Sequence, residues 1–207
     1  KIDYEVLPAV FDVEEALKPG APVVNEVYPK NTFTYHETYD RQQLRFGDAD
    51  RAFATADHVL EQRYQMSPIE HAPTETNGSI AAPDTNGRYI VYTSTQNPTE
   101  VQKLVAEVLG VPMNKIVIDM RRMGGGFGGK ETQAAGPACL CAVIAHLTDR
   151  PTKMRLPRME DMTMTGKRHP FYVEYDVGFD DDGRLHGINF DLAGNCGYSP
   201  DLSGSIV

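Results

Sequence analysis

No apolar run in this chain approaches the roughly 20 residues needed to cross a bilayer as a helix, so a transmembrane helix is not expected. Positive charge is also in short supply: 29 acidic against 20 basic side chains leave a formal net charge of −9. Nucleic acid and anionic membrane surfaces both demand a positive footprint, and neither is an expected partner. Cysteine is scarce, with three in 207 residues. So small and odd a set is no disulfide framework, and Cys139 and Cys141 lie two apart in a helix-like segment. They point to different faces and read as small buried side chains, which suits a reducing, cytoplasmic setting. No signal peptide, internal repeat or low-complexity segment is visible. The sequence opens at Lys1 and stops in the apolar Ile206-Val207, so it is expected to be a piece of a longer polypeptide.

Glycine, by contrast, is concentrated. Met123-Gly124-Gly125-Gly126-Phe127-Gly128-Gly129-Lys130-Glu131-Thr132 sets five glycines around one aromatic residue. Glycine permits positive φ and close backbone approach, at an entropic cost on folding. Residues 115–120 ahead of it read as a short buried strand, and residues 132–147 behind it as an alanine-rich apolar helix. Strand, glycine loop and helix together point backbone N–H groups and a helix N-terminus at an anion, the signature of a cofactor cradle. Gly124 to Lys130 fits seven positions of a P-loop, but Glu131 stands where Ser or Thr must hold Mg²⁺, and a carboxylate there repels phosphate. Gly124, Gly126 and Gly129 also satisfy G-x-G-x-x-G. The acid a dinucleotide fold needs after the next strand is missing: residues 153–156 run into Pro157, and Glu160 fits poorly. A tight structural loop without a ligand is the plain alternative.

Around this motif the elements alternate. Residues 4–13 read as a strand, 14–17 as a short helix, and Pro19-Gly20-Ala21-Pro22 as a breaker. Residues 31–45, polar and aromatic without clear period, read as an extended linker. Asp48 is placed to cap a helix over 49–56, and residues 58–65 alternate as a strand. Strands over 77–82 and 88–94 flank a hairpin turn marked by Asn86-Gly87. Val101, Leu104, Val105, Val108 and Leu109 recur at helical spacing, and the helix stops at Gly110 with Pro112 beyond. Further strands are expected over 153–156, 171–179 and 185–193, the last two joined by the turn Asp180-Asp181-Asp182-Gly183. The class is α+β: mixed, mostly antiparallel sheets with packed helices. Residues 1–46 are assigned to the end of a preceding domain and a linker, and 47–207 to the first part of the main domain.

Taken together, Ser94-Thr95-Gln96-Asn97, Leu109-Gly110-Val111-Pro112, the glycine motif from Arg121 to Thr132, Glu160-Asp161-Met162, Thr165-Gly166-Lys167-Arg168-His169-Pro170-Phe171 and Asp201-Leu202-Ser203 carry a resemblance. They resemble, in order and over nearly the whole chain, the molybdenum-cofactor-binding part of the xanthine dehydrogenase/aldehyde oxidase family of molybdenum hydroxylases. Tyr4-Glu5-Val6-Leu7-Pro8 resembles the end of the preceding domain. The resemblance implies a molybdenum–pyranopterin (molybdopterin) cofactor. It implies that Gln96 hydrogen-bonds to an oxygen on molybdenum without any direct protein ligand to the metal. It further implies that Gly126, Phe127 and Gly128 bring the backbone to the cofactor, with the Phe127 ring packed and its N–H functional. Glu131 matches the carboxylate that touches a purine substrate; on its own it reads as a capping or dipole residue at a helix N-terminus. The implied reaction is water-derived hydroxylation of an electron-poor carbon in an N-heterocycle such as hypoxanthine or xanthine. Electrons would leave through iron–sulfur clusters to FAD on other segments or subunits. No catalytic residue is assigned within the chain, because the general base is expected beyond Val207, in the remaining part of the molybdenum subunit.

Other readings stand beside this one: another N-heterocycle hydroxylase or an aldehyde oxidase, or a non-catalytic cofactor-binding or assembly module. Glu70-His71-Ala72-Pro73-Thr74-Glu75 departs from the pattern of xanthine-oxidising relatives, which often carry two aromatic residues where Ala72 and Pro73 stand. Arg121 and Arg122 point to opposite faces, so at most one can approach the cofactor. Arg168 and His169 are placed for an ion pair with Glu160 or Asp161, and His169 is not expected to bind metal.

Overall fold

A computed structural model describes residues 2–32 and 43–206; part of the expected linker over 31–45 lies outside the described residues. The chain divides into two compact units, one made of Lys1–Pro68 with His169–Val207 and the other of Ile69–Arg168.

The first unit is built on an antiparallel sheet of β1 (His58–Met66), β6 (Phe171–Phe179) and β7 (Leu185–Gly194), with β6 in the middle. The 180–183 turn closes β6 onto β7: Gly183 takes φ +78°, and Asp180 and Arg184 carry its hydrogen bonds. Tyr64 stacks on Tyr175, ring centroids 5.8 Å apart, across the β1–β6 seam. Helix α2 (Ala49–Thr55) packs on β6 and β7, and Asp48 caps it as expected through Arg51 N–H. The expected strand over 4–13 does not form. Ile2, Tyr4, Val6, Leu7 and Phe11 are exposed, and no strand among the described residues pairs with the segment, so its strand-like composition finds no ladder. Asp12 instead caps the one-turn helix α1 (Val13–Ala16) and hydrogen-bonds the Tyr172 hydroxyl. A further short helix, α6 (Ser203–Ile206), closes the described chain.

The second unit contains a four-stranded sheet ordered β4 (Ile116–Asp119), β3 (Tyr89–Thr93), β2 (Gly78–Pro83), β5 (Thr152–Arg155). The β2–β3 hairpin turns at Gly87, φ +63°, where the sequence signal placed it, and Arg88 pairs with Asp84 at 2.7 Å to brace it. Helix α3 (Pro98–Leu109) has the N-cap Asn97, whose side chain accepts from Glu100 N–H at 3.1 Å, then proline at the first position and Gly110 in the left-handed conformation at its end. This helix carries the chain from β3 to β4, and such a crossover makes those two strands parallel while all others are antiparallel. Helix α4 (Ala135–Thr148) crosses β2 and α3 on its small residues Ala138, Ala142 and Ala145. They lie at one core with Val91, Val101, Val105 and Ile116, together with the buried Cys141 thiol. Cys139 is half-buried, so the two thiols face differently, as expected, and burial pushes both thiol pKa values up. Helix α5 (Arg158–Met164) has no counterpart in the sequence reading. It is anchored by the buried Asp161, which accepts from Asn77 N–H (3.1 Å) and Nδ2 (2.8 Å) and pairs with Arg158 at 3.6 Å. Asp161 is thereby satisfied, and among the described residues the expected ion pair of Arg168 with Glu160 or Asp161 is not made; the His169 ring bonds the Ser203 hydroxyl at 2.7 Å.

Ile116 is 1% exposed between α3 and the sheet. Ile116→Ala leaves a cavity the short β4 cannot close, and a loss of about 2–5 kcal/mol is expected from denaturant unfolding.

Candidate cofactor site

Two connections leave the carboxyl ends of β3 and β4. Because those strands are parallel, their ends lie at one edge, and the segments 94–97 and 120–134 start side by side. Gln96 then enters the glycine loop. Its side-chain Oε1 accepts from Gly128 N–H at 2.9 Å and Lys130 N–H at 3.2 Å, and its own N–H donates to Lys130 O at 2.9 Å. Both contacts to the amide come from N–H donors, so the oxygen must face the loop and the NH₂ faces away. Gln96 is exposed, and no hydrogen bond within the described chain engages that NH₂.

The glycines serve this close packing. A Cβ at Gly126 would sit 2.5 Å from Gln96 Oε1, so the glutamine side chain lies where any larger residue would be. At Gly129 a Cβ would meet the His71 ring at 2.8 Å. The loop thus rests on Gln96 on one side and on the 71–75 segment on the other. Part of the cradle expectation changes here. Two of the loop's N–H groups are spent on Gln96, and α4 begins only at Ala135, three residues later than expected, without a side-chain cap.

Phe127 sits at the tip with φ +54°, a conformation that a bulky residue adopts only when the surroundings hold it there. Its N–H makes no hydrogen bond within the described chain. The ring is 76% exposed, so the expected packing of the ring is not found among the described residues. Glu131 is half-buried, and its carboxylate has no ion pair or hydrogen bond among the described residues. It stands ahead of α4's N-cap Ala134, outside the turn over which a helix dipole acts, so the capping reading loses its geometry. Arg121 is largely exposed and pairs with Asp119 at 3.4 Å; Arg122 is exposed as well.

The sequence reading missed a second layer. Lys130 is the seventh residue of the P-loop-like match, yet its side chain is 0% exposed and its Nζ lies 3.2 Å from Glu75 Oε2 and 2.9 Å from Ser94 Oγ. The same Glu75 oxygen accepts from Ser94 Oγ at 2.6 Å and Gly124 N–H at 2.7 Å. Partial burial pushes the Glu75 pKa up, but the Ser94 hydroxyl, the Gly124 N–H and Lys130 outweigh it and hold the pKa below its ordinary 4.5. Nearby, Glu70 accepts from Ala72 N–H and pairs with Lys167 at 2.8 Å, holding the turn that presents His71. A lone lysine between glycines and an apolar stretch carries no sequence sign that it will be buried; only its position opposite Glu75 reveals it.

What the arrangement offers is donors: the Gln96 NH₂ and the Phe127 N–H, beside an unpartnered carboxylate. No group of three or more His, Cys, Asp or Glu suited to hold a metal occurs among the described residues. Those donors fit a cofactor that the protein touches through hydrogen bonds.

Two outcomes check this geometry. Gly126→Ala should expel the Gln96 side chain and lower the unfolding midpoint. Gly136→Ala, in α4 with open space around the new Cβ, should be neutral or stabilising by up to about 1 kcal/mol. A thermal melt of both variants separates packing from glycine content. The second concerns acid. A carboxylate with a lowered folded pKa contributes stability that is present above its ordinary 4.5 and lost as pH falls through the lowered value. Glu75→Gln should flatten the acid limb of the melting-temperature profile while leaving its alkaline limb in place.

The molybdopterin cofactor-binding domain family model matches residues 27–207. The chain is 40% identical over 208 aligned residues to the xanthine dehydrogenase of Emericella nidulans and 38% identical over 208 to the xanthine dehydrogenase/oxidase of Rattus norvegicus. Each alignment covers 100% of this chain and 14% of the relative. Among solved structures, the aldehyde oxidoreductase from Desulfovibrio desulfuricans superposes with a TM-score of 0.77 at 25% identity, covering 94% of this chain and 21% of the other. The chain spans about a seventh of the length of the curated relatives it matches. With its α+β fold and its glycine loop bound to Gln96, the chain belongs to the molybdopterin cofactor-binding domain family.

Proposed function

We propose that this chain forms one wall of the active site of a molybdenum hydroxylase that oxidises purine-like N-heterocycles, with water as the oxygen source. The observation that carries the reading is the orientation of Gln96: two backbone N–H groups hold its oxygen, leaving the NH₂ as a directed donor. In this reading the Gln96 NH₂ and the Phe127 N–H meet oxygen atoms of the cofactor, and the 126–128 backbone lies along it. When bound, the molybdenum–pyranopterin supplies two-electron redox chemistry and activates water. The protein's share is to place donors where negative charge grows and to orient the substrate.

Glu131 is the substrate contact in this reading. Its carboxylate is half-buried and unpartnered, so it is available to hydrogen-bond ring nitrogens of a heterocycle and to steady charge developing on the ring. The general base, the iron–sulfur clusters and the FAD belong to other segments or subunits of a longer enzyme, and its small-molecule partner is the heterocycle. A cytoplasmic setting agrees with three unpaired thiols and with the absence, among the described residues, of any helix long and apolar enough to cross a membrane.

The test uses the full-length enzyme with hypoxanthine in ¹⁸O-labelled water: label in the hydroxylated product supports the reaction class, and its absence refutes it. Glu131→Gln should retain molybdenum and lower kcat/KM for purines by about 10–150-fold, the worth of a charge-assisted hydrogen bond of about 1.5–3 kcal/mol. Glu131→Val should lose more purine activity and admit aldehydes, which need no such partner. Normal purine turnover by both variants would remove the substrate assignment.

A further inference from the structure

We infer that Lys130 and Glu75 are positioning residues for Gln96, an ion pair anchored by a fully buried lysine that sets the direction of the amide's free NH₂; the inference rests on the role of Gln96 proposed above. Lys130 holds Gln96 from two sides with its backbone. Its carbonyl accepts from Gln96 N–H at 2.9 Å and from Thr95 Oγ1 at 3.1 Å, and its N–H donates to Gln96 Oε1 at 3.2 Å. Wherever the Lys130 backbone goes, the Gln96 amide follows.

The side chain of Lys130 decides where that backbone goes. It is the largest fully buried side chain among the described residues, and an ammonium is kept out of water only where partners replace the lost hydration. Those partners are Ser94 Oγ, just past the end of β3, and Glu75 Oε2. The same Glu75 oxygen takes Gly124 N–H at the start of the glycine loop, so one carboxylate oxygen ties together both ends of the loop and the strand end before Gln96. The lysine of a phosphate-binding loop must reach outward to its ligand. Lys130 has no exposure and both its polar contacts are internal, so it serves the loop and not a phosphate.

A lysine buried solely for packing would be replaced by an apolar residue of its shape with little consequence for Gln96. A positioning lysine would not. The experiment compares Lys130→Met, Glu75→Gln, Gln96→Ala and the double variant Lys130→Met/Gln96→Ala in the full-length enzyme. In the metal-free protein, hydrogen exchange of the peptide covering residues 124–131 should quicken about tenfold in Lys130→Met and Glu75→Gln, as in Gln96→Ala, since each frees the Gly128 and Lys130 N–H groups. In the molybdenum-loaded protein, Lys130→Met should shift the molybdenum(V) paramagnetic resonance spectrum in the same sense as Gln96→Ala, with no further shift in the double variant. Unchanged exchange in both Lys130→Met and Glu75→Gln, or spectral shifts that simply add in the double variant, would overturn the inference. Should Lys130→Met fail to fold, Glu75→Gln, which keeps an acceptor for Gly124 and Ser94, decides it alone. A Gln96→Ala variant with an unaltered spectrum but faster exchange would instead refute the proposed contact of Gln96 with the cofactor while leaving the ion pair's hold on the amide intact.

Discussion

The parallel pairing of β3 with β4 is the constraint on which the rest of the second unit depends. Antiparallel neighbours joined by a tight turn put successive loops at opposite edges of a sheet. A crossover through α3 brings the chain back in the same direction, so the segments following β3 and β4 emerge at one edge. Gln96 leaves the first of these ends and the glycine loop the second. Without the parallel pair they would lie at opposite edges of the sheet, and no side-chain choice could bring them into contact.

Once the two connections are adjacent, hydrogen-bond satisfaction does the finer work. Backbone N–H groups in a glycine loop need acceptors, and the Gln96 carbonyl oxygen takes two of them at 2.9 and 3.2 Å. The absence of a Cβ at Gly126 lets the side chain lie close enough to do so. Beneath it, a buried lysine and one carboxylate oxygen with three donors hold the loop to the strand end. The exposed Phe127 ring and the positive φ beneath it are what remains after the loop has been pinned at both flanks.

This architecture is shared with an aldehyde oxidoreductase at 25% identity, and a fold by itself does not fix a function. In the function proposed here the choice rests with side chains that the fold presents but does not itself use. Glu131 is the proposed example: half-buried, ahead of the first turn of α4, and without an ion pair or hydrogen bond among the described residues.

Much was legible in the sequence because its causes are local. Asp48 announces a helix start through the acceptor it offers, Gly110 a helix end, and Asn86-Gly87 a hairpin, and each stands where it was read. The glycine motif and Gln96 were legible together as a family pattern. What failed did so for want of a partner: residues 4–13 are strand-like in composition, but a strand exists only when another chain segment completes its ladder. Three things only the tertiary structure decided. The Gln96 amide turns its oxygen inward because two donors from residues 32 and 34 positions away meet it there. Lys130 is buried because Glu75, 55 residues earlier, waits beside it. Asp161 serves Asn77 and Arg158 and not Arg168, since a carboxylate bonds whichever donors the packing of α5 delivers. Sequence carries the conformational preference of each residue. Which distant group satisfies a buried donor or charge is a property of the folded chain alone.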